Sequence, residues 1–369
     1  MTDEPIIAAS TIAWLAFALG ILFGAVASKT SFCTLGAVSD IVNIGDWNRM
    51  RMWALAMAVA MIATSALQFG AVFDPAHSIY TPPRLNWLSH LVGGLLFGTG
   101  MSLASGCGSK TLVRLGGGNL KALIVFVFIG LSAYMSLRGL FAVWRVGYLD
   151  PVALQLDTAQ DVPALLVGMG LSPEQALLAA TTVIGGALLA FALARREARQ
   201  TDVLLGGVAI GLLVAAGWML TAHIGYVEEH PDTLEQAFIA TNSGRAESFS
   251  FVAPLAYSLE LLMFWSDTSR IVTFGIAASI GVIVGAALHT IASGRFRIES
   301  FTNSADLGRH IVGAILMGFG GVTAMGCTIG QGITGVSTLA VGAFITTAAI
   351  IAGSALTLRT QYWLMMRGT

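Results

Sequence analysis

"HLVGGLLFGTGMSLASGC" at residues 90–107 and "HIVGAILMGFGGVTAMGC" at 310–327 align without a gap and agree at nine of eighteen positions. The agreements are His90/His310, Val92/Val312, Gly93/Gly313, Leu96/Leu316, Gly98/Gly318, Gly100/Gly320, Ala104/Ala324, Gly106/Gly326 and Cys107/Cys327. In a chain rich in Gly, Ala and Leu, chance supplies roughly one or two. The sequence therefore contains a duplication, and its two copies organise the rest of the chain.

Hydrophobic residues make up 56% of the 369, charged residues 11%, and mean hydropathy is +0.79. This lies outside the composition of soluble domains and predicts an all-α polytopic membrane protein surrounded by lipid. Apolar segments near 11–28, 52–73, 119–143, 171–194, 203–222, 270–292 and 335–357 are long enough to cross the hydrocarbon layer. With the shorter glycine-rich segments 90–105 and 307–325, about nine transmembrane helices are expected. Pro254 and neighbouring serines make 250–265 read as a short broken or re-entrant helix rather than a further crossing. The N-terminal MTDEPIIAAS has no basic region before its apolar run, so the first helix is expected to be retained. A net charge of −1 gives no reason to expect a nucleic-acid partner.

Basic flanks stay in the cytoplasm. With the N-terminus outside and nine crossings, fourteen of the nineteen Lys and Arg residues fall inside, among them Lys29, Arg49, Arg51, Lys110, Arg114, Arg195, Arg196, Arg199, Arg295, Arg297, Arg359 and Arg367. Arg84, Arg138, Arg145, Arg245 and Arg270 fall outside. In this topology the first copy runs inward and the second outward. The repeats, 11–145 and 203–357, are therefore expected to be inverted, joined by a loop and helix at 146–202 within a single unit, 1–369. Inverted repeats with glycine-interrupted helices at matching positions point to a transport site near the midplane. The loops 146–170 and 223–247 read as solvated connectors outside the membrane.

The three cysteines, Cys33, Cys107 and Cys327, form neither a disulfide framework nor a metal-ligand spacing, and no cofactor is expected. A lone buried cysteine is usually a small hydrophobe. Cys107 and Cys327 differ because the duplication repeats them, each beside glycine; Cys33 has no cysteine partner in the second half. Gly106, Gly108, Gly116, Gly117 and Gly118, and Gly326, Gly330, Gly332 and Gly335, either permit tight turns or adopt positive φ and present bare N–H groups as an anion nest. A thiol in a poorly hydrated passage keeps its proton and offers a weak S–H donor, suited to a soft sulfur carrying partial negative charge. The thiols then read as stepping stones for a sulfur-containing anion. Ser109, Lys110, Thr328 and Gln331 flank them as candidate donors, with Lys110 equally a cytoplasmic anchor. Asp40, Glu260 and Asp267 lie near apolar segments, where ionisable groups are functional or paired. His90 and His310 open the repeat helices, and both interfacial and substrate-facing positions suit them.

The stretches "SFCTLGAVSD" (31–40), "SGCGSKTLVRLGGGN" (105–119) and "MGCTIGQGITGVS" (325–337) resemble the YeeE/YedE family of sulfur-transport membrane proteins, over essentially the whole chain. The resemblance implies an hourglass-shaped helical protein of inverted repeats, multi-pass in the bacterial inner membrane. It implies a transporter that takes up thiosulfate and is not an enzyme. By motif position Cys33, Cys107 and Cys327 would pass the substrate on through S–H···S contacts. It also implies a separate TusA-like sulfur-carrier protein as cytoplasmic partner. Sulfite, sulfide or a selenium analogue are alternative substrates, and a membrane sulfurtransferase forming a Cys persulfide is the alternative from another class.

Overall fold

The computed structural model describes residues 9–195, 200–230, 234–267 and 269–367. Arg196 and Arg199 of the charge count, and the first eight residues, lie outside these. Among the described residues eight helical stretches are long and apolar enough to cross a membrane. The first consists of α1 (Ala9–Thr30) and α2 (Thr34–Ile44), broken at 31–33. Next comes α3 (Asn48–Phe69), then α4 (Trp87–Leu103) with α5 (Gly108–Gly116), broken at 104–107, and α6 (Leu120–Arg138). After α7 (Pro173–Leu193) and α8 (Thr201–Ile224) comes α9 (Ala253–Met263). Its eleven residues rise only about 16 Å, too short to cross, in keeping with a broken element. The chain ends with α10 (Phe274–Ala292), α11 (Ser304–Thr323), α12 (328–337) and α13 (Val341–Arg367). At 20 residues α11 is as long as a span, but Asp306, Arg309 and His310 in its first turns lower its hydropathy.

In lipid, helices gain little from burying apolar surface, so close backbone approach through small residues holds them together. The seam between α4 and α11 shows this. A Cβ on Gly93 would sit 2.7 Å from the Gly320 carbonyl oxygen and 2.6 Å from the Ala324 nitrogen. A Cβ on Gly313 would sit 2.6 Å from the Gly100 oxygen and 2.7 Å from the Ala104 nitrogen. Gly93/Gly313, Gly100/Gly320 and Ala104/Ala324 are alignment partners, so each contact is the image of the other. The flanking contacts come in similar pairs. Gly98 of α4 lies against Ile350 and Ser354 of α13, while Gly318 of α11 lies against Ile129 and Ala133 of α6. Likewise α1 and α10 meet through Gly20, Gly24, Gly281 and Gly285, and α8 meets α3 through Gly207 and Gly211.

One end of the bundle is rich in connections and the other is basic. At the first, Arg84–Leu85 pairs with Leu154–Gln155, and the Val162 N–H donates to the Leu339 carbonyl at 3.0 Å. The Ala246 N–H donates to His77 at 3.0 Å, leading into a buried segment with Phe249, Phe251 and Val252. The stretches 146–170 and 223–247 are therefore only partly solvated, since their backbone groups are used to dock on neighbouring loops. At the opposite end Lys121 pairs with Asp306 at 2.7 Å and Arg49 with Asp40 at 3.1 Å. Back at the connection-rich end Glu260, 3% exposed, pairs with Arg270 at 3.0 Å and Arg138 at 3.2 Å. Asp40 and Glu260 thus belong to ion pairs, as does Asp267 with Arg270 at 3.6 Å.

Candidate functional site

The same local structure precedes all three thiols. Each long helix closes with a six-to-one hydrogen bond: Phe32 N–H to Ala27 at 3.1 Å, Gly106 N–H to Met101 at 2.9 Å, and Gly326 N–H to Gly321 at 2.7 Å. The residue two before each cysteine is left-handed: Ser31 (φ 53°), Ser105 (φ 58°) and Met325 (φ 59°). This is a Schellman turn, usually completed by glycine but here by other residues. Each cysteine stands directly before a new short helix, α2, α5 or α12, with Cys33 and Cys107 in extended conformation.

Cys33 Sγ accepts the Gly36 N–H at 3.4 Å, and Cys327 Sγ accepts the Gly330 N–H at 3.4 Å, the i+3 geometry of a helix cap. Cys107 Sγ instead meets Ser109 Oγ at 3.3 Å. Three helix N-termini, with their partial positive charge, therefore open at the three thiols. In α12 the run Gly330–Gly335 is π-helical, a widening of the turn that often marks functional sites.

The expectation of left-handed loop glycines holds only at Gly118 (φ 93°); Gly106, Gly108, Gly326, Gly330 and Gly332, beside the thiols, have no positive φ. They are glycines because something else occupies the space of a side chain. A Cβ on Gly106 would meet Lys110 Cγ at 3.2 Å, and one on Gly326 would meet Gln331 Cγ at 3.0 Å. On Gly108 it would meet the Phe251 oxygen at 2.5 Å, on Gly330 Ser250 Oγ at 2.6 Å, and on Gly332 Trp53 Cζ3 at 2.8 Å.

Those contacts bring the loops together. Phe251 donates its N–H to Cys327 Sγ at 3.3 Å while its carbonyl lies against Gly108, so one residue bridges the Cys107 and Cys327 loops. Trp53 links in the Cys33 loop, its ring stacked on Phe32 and its edge against Gly332 in the helix after Cys327. All three thiols are inside the protein, with 7%, 1% and 0% of Cys33, Cys107 and Cys327 exposed. None faces lipid. At the connection-rich end a cavity of about 280 Å³ reaches down to Met325 and Gly326, lined by Tyr80, Ser250 and Tyr257 among others. Burial pushes the Tyr80 hydroxyl pKa up, so it remains a donor at this mouth. The half-buried Glu247 carboxyl is likewise raised above the ordinary carboxylate range by burial, partly offset by N–H groups of Ser243 and Asn242. Toward the basic end, the charges of Lys110 and Arg114 reach Cys33, and Arg114 braces the Ser105 carbonyl at 2.7 Å.

Of the flanking candidates, Ser109 touches Cys107, and Thr328 is buried with its hydroxyl unpartnered. Gln331 is fully buried, its Nε2 on the Ala324 carbonyl at 2.6 Å, where it ties the turn before Cys327. His90 and His310 are buried, His90 bonded to the Thr346 hydroxyl and His310 to the Asp306 carbonyl, both at 2.8 Å. Missed by sequence reasoning were Trp53, Thr34 and the segment Ser250–Phe251–Val252. A signal for the last exists: "SFCTLGAVS" (31–39) and "SFVAPLAYS" (250–258) share Ser, Phe, Ala and Ser in register, placing Val252 opposite Cys33. Among the described residues no group of three or more His, Cys, Asp or Glu is arranged to hold a metal ion.

The family model described as "Sulphur transport" matches residues 29–356. A protein named thiosulfate transporter TsuA from Spirochaeta thermophila is 27% identical over 362 residues, covering 96% of this chain and 99% of its own length. One of the same name from Escherichia coli K12 is 25% identical over 329 residues, covering 85% and 84%. With a match over nearly the whole span that holds the three capped thiols, the chain belongs to the sulphur-transport (YeeE/YedE) family of membrane proteins.

Proposed function

We propose that this protein takes up thiosulfate across the bacterial inner membrane, handing it along Cys327, Cys107 and Cys33. The observation that carries this reading is the thrice-repeated arrangement of a buried thiol at the mouth of a short helix, with Phe251 bridging the Cys107 and Cys327 loops and Trp53 reaching from Phe32 to Gly332. A helix N-terminus attracts an anion with partial rather than full charge, so the anion can leave again. A protonated thiol adds a donor for a soft sulfur atom. The names of both curated relatives support the choice of substrate.

Basic residues at one end support a periplasmic N-terminus and a cytoplasmic C-terminus. The reciprocal glycine contacts of α4 and α11 support halves 11–145 and 203–357 related by a two-fold axis in the membrane plane, hence inverted. Entry is then through the cavity above Gly326, and exit past Lys110 and Arg114. A TusA-like carrier would receive the sulfur at the exit. The protein itself forms no covalent intermediate in this reading.

The test is uptake of labelled thiosulfate into proteoliposomes, competed with sulfate, sulfite and sulfide. Saturable uptake that thiosulfate competes best is expected; uptake no faster than in empty liposomes would sink the proposal. Mass spectrometry of the same protein separates transport from sulfur transfer, since a persulfide would add roughly the mass of one sulfur atom to a cysteine.

A further inference from the structure

Thiosulfate has two unlike ends, a soft terminal sulfur and a face of three oxygens. The thiols suit the first and leave the second without matching side-chain donors. Three buried donors near the thiol loops have no hydrogen-bond partner: Thr34 Oγ1, Trp53 Nε1 and Thr328 Oγ1. Their residues are only 4%, 3% and 2% exposed. Buried polar atoms are nearly always paired, so three orphans in one region call for a cause.

For the threonines the cause is local. Elsewhere in the bundle Thr30, Ser102, Thr111, Ser279 and Thr323 each bond the carbonyl four residues back. Thr34 and Thr328 stand in the first turn after Cys33 and Cys327, where the preceding chain is not helical and offers no such carbonyl. For the tryptophan a comparison within the chain is available. Trp218, fully buried, donates its Nε1–H to Ser337 Oγ at 3.1 Å. Trp53 has no such acceptor, although its ring is firmly held. It stacks on Phe32, beside Cys33, at 5.4 Å, and its edge lies against Gly332 in the helix that follows Cys327. One indole thus spans from the Cys33 loop to the Cys327 helix.

Building on the transport reading, we propose that Trp53, with Thr34 and Thr328, forms a specificity set that donates hydrogen bonds to the oxygen face of the passing anion while the thiols hold its sulfur end. A site built from buried donors discriminates against an analogue that lacks the matching acceptors, because those donors are then left unpaired. Two-ended recognition prefers thiosulfate to hydrosulfide, which has no oxygens, and to sulfate, which has no soft sulfur.

The experiment uses Trp53→Phe, which removes the N–H and keeps an aromatic ring on Phe32, together with Thr34→Val and its rescue variant Thr34→Ser, all as full chains in proteoliposomes. A hydrogen bond to a charged group corresponds to about a tenfold effect or more. Trp53→Phe is expected to raise KM for thiosulfate by about that factor and to lower its preference over hydrosulfide by about the same amount. Thr34→Val should shift in the same direction, and Thr34→Ser should restore wild-type values. A packing defect would weaken thiosulfate and hydrosulfide alike, and that result would overturn the assignment, as would a Trp53→Phe protein with unchanged KM and preference. Wild-type protein that carries no thiosulfate would instead overturn the transport reading and this inference with it.

Discussion

Two segments stand in corresponding places in the two halves: Ser31–Phe32–Cys33 ahead of α2, and Ser250–Phe251–Val252 ahead of α9. The first offers a thiol, within reach of the charges of Lys110 and Arg114. The second offers no thiol; its backbone N–H at Phe251 goes to the sulfur of Cys327 in the neighbouring loop. In the proposed transport reading the two segments are one scaffold used twice, and only the first copy offers a thiol. The connection-rich end instead has the cavity of about 280 Å³. In that reading capture and release rest on different groups.

The sharpest way to break this comparison is to remove the thiol between the two segments. Cys107→Ala should cut thiosulfate uptake by about 100-fold, the upper range for losing a hydrogen bond to a charged ligand; uptake near wild type would end the relay. Next comes the second-half segment itself. In Gly108→Ala the new Cβ would press on the Phe251 carbonyl, a backbone atom with little room to yield. About tenfold slower uptake and a melting point lowered by the equivalent of about 1–3 kcal/mol are expected, and a variant unchanged in both would show that Phe251 does not bridge the loops. A smaller effect should follow from exchanging chemistry between the segments. Cys33→Ala is expected to lose a few-fold in uptake, roughly one neutral hydrogen bond, while Val252→Cys stays near wild type. If the Val252→Cys variant proved the more damaged of the two, the assignment of sulfur handling to the basic end would be reversed.

The smallest expected effect concerns Glu247 at the cavity. Because its pKa is raised in the folded protein, the stabilisation it gives is complete below the ordinary glutamate value of about 4.3 and is lost as pH climbs through the raised value. Glu247→Gln keeps an oxygen for the Asn242 and Ser243 N–H groups and removes the titration. Its melting temperature should therefore fall less steeply than wild type as pH rises from the ordinary glutamate value to the raised one, as thermal scans across pH would reveal; parallel profiles would exclude the carboxyl as the source.

The apolar helices were readable from residues, because hydrophobic length is a property of the chain itself, and so was the matched spacing whose glycines meet at the seam of α4 and α11. The roles of the loop glycines were not. Gly108 and Gly332 are fixed by Phe251 and Trp53, residues distant in sequence, and only the fold shows that a side chain would collide there. The left-handed positions fell on Ser31, Ser105 and Met325, since a Schellman turn demands a conformation rather than a residue type. Trp53 was invisible for a similar reason: a tryptophan in an apolar run looks like any other until its N–H is found without an acceptor.

The glycine seam of α4 and α11 bears on the mechanics of transport. Backbone touches backbone along it, and a shift of one helical turn would drive side chains into carbonyl groups. Such a spindle resists the tilting of one half against the other by which many carriers expose their cargo to alternate sides. If the protein carries thiosulfate as proposed, the yielding parts are the short helices behind the thiols and the widened turn of α12, flexing about a fixed axle.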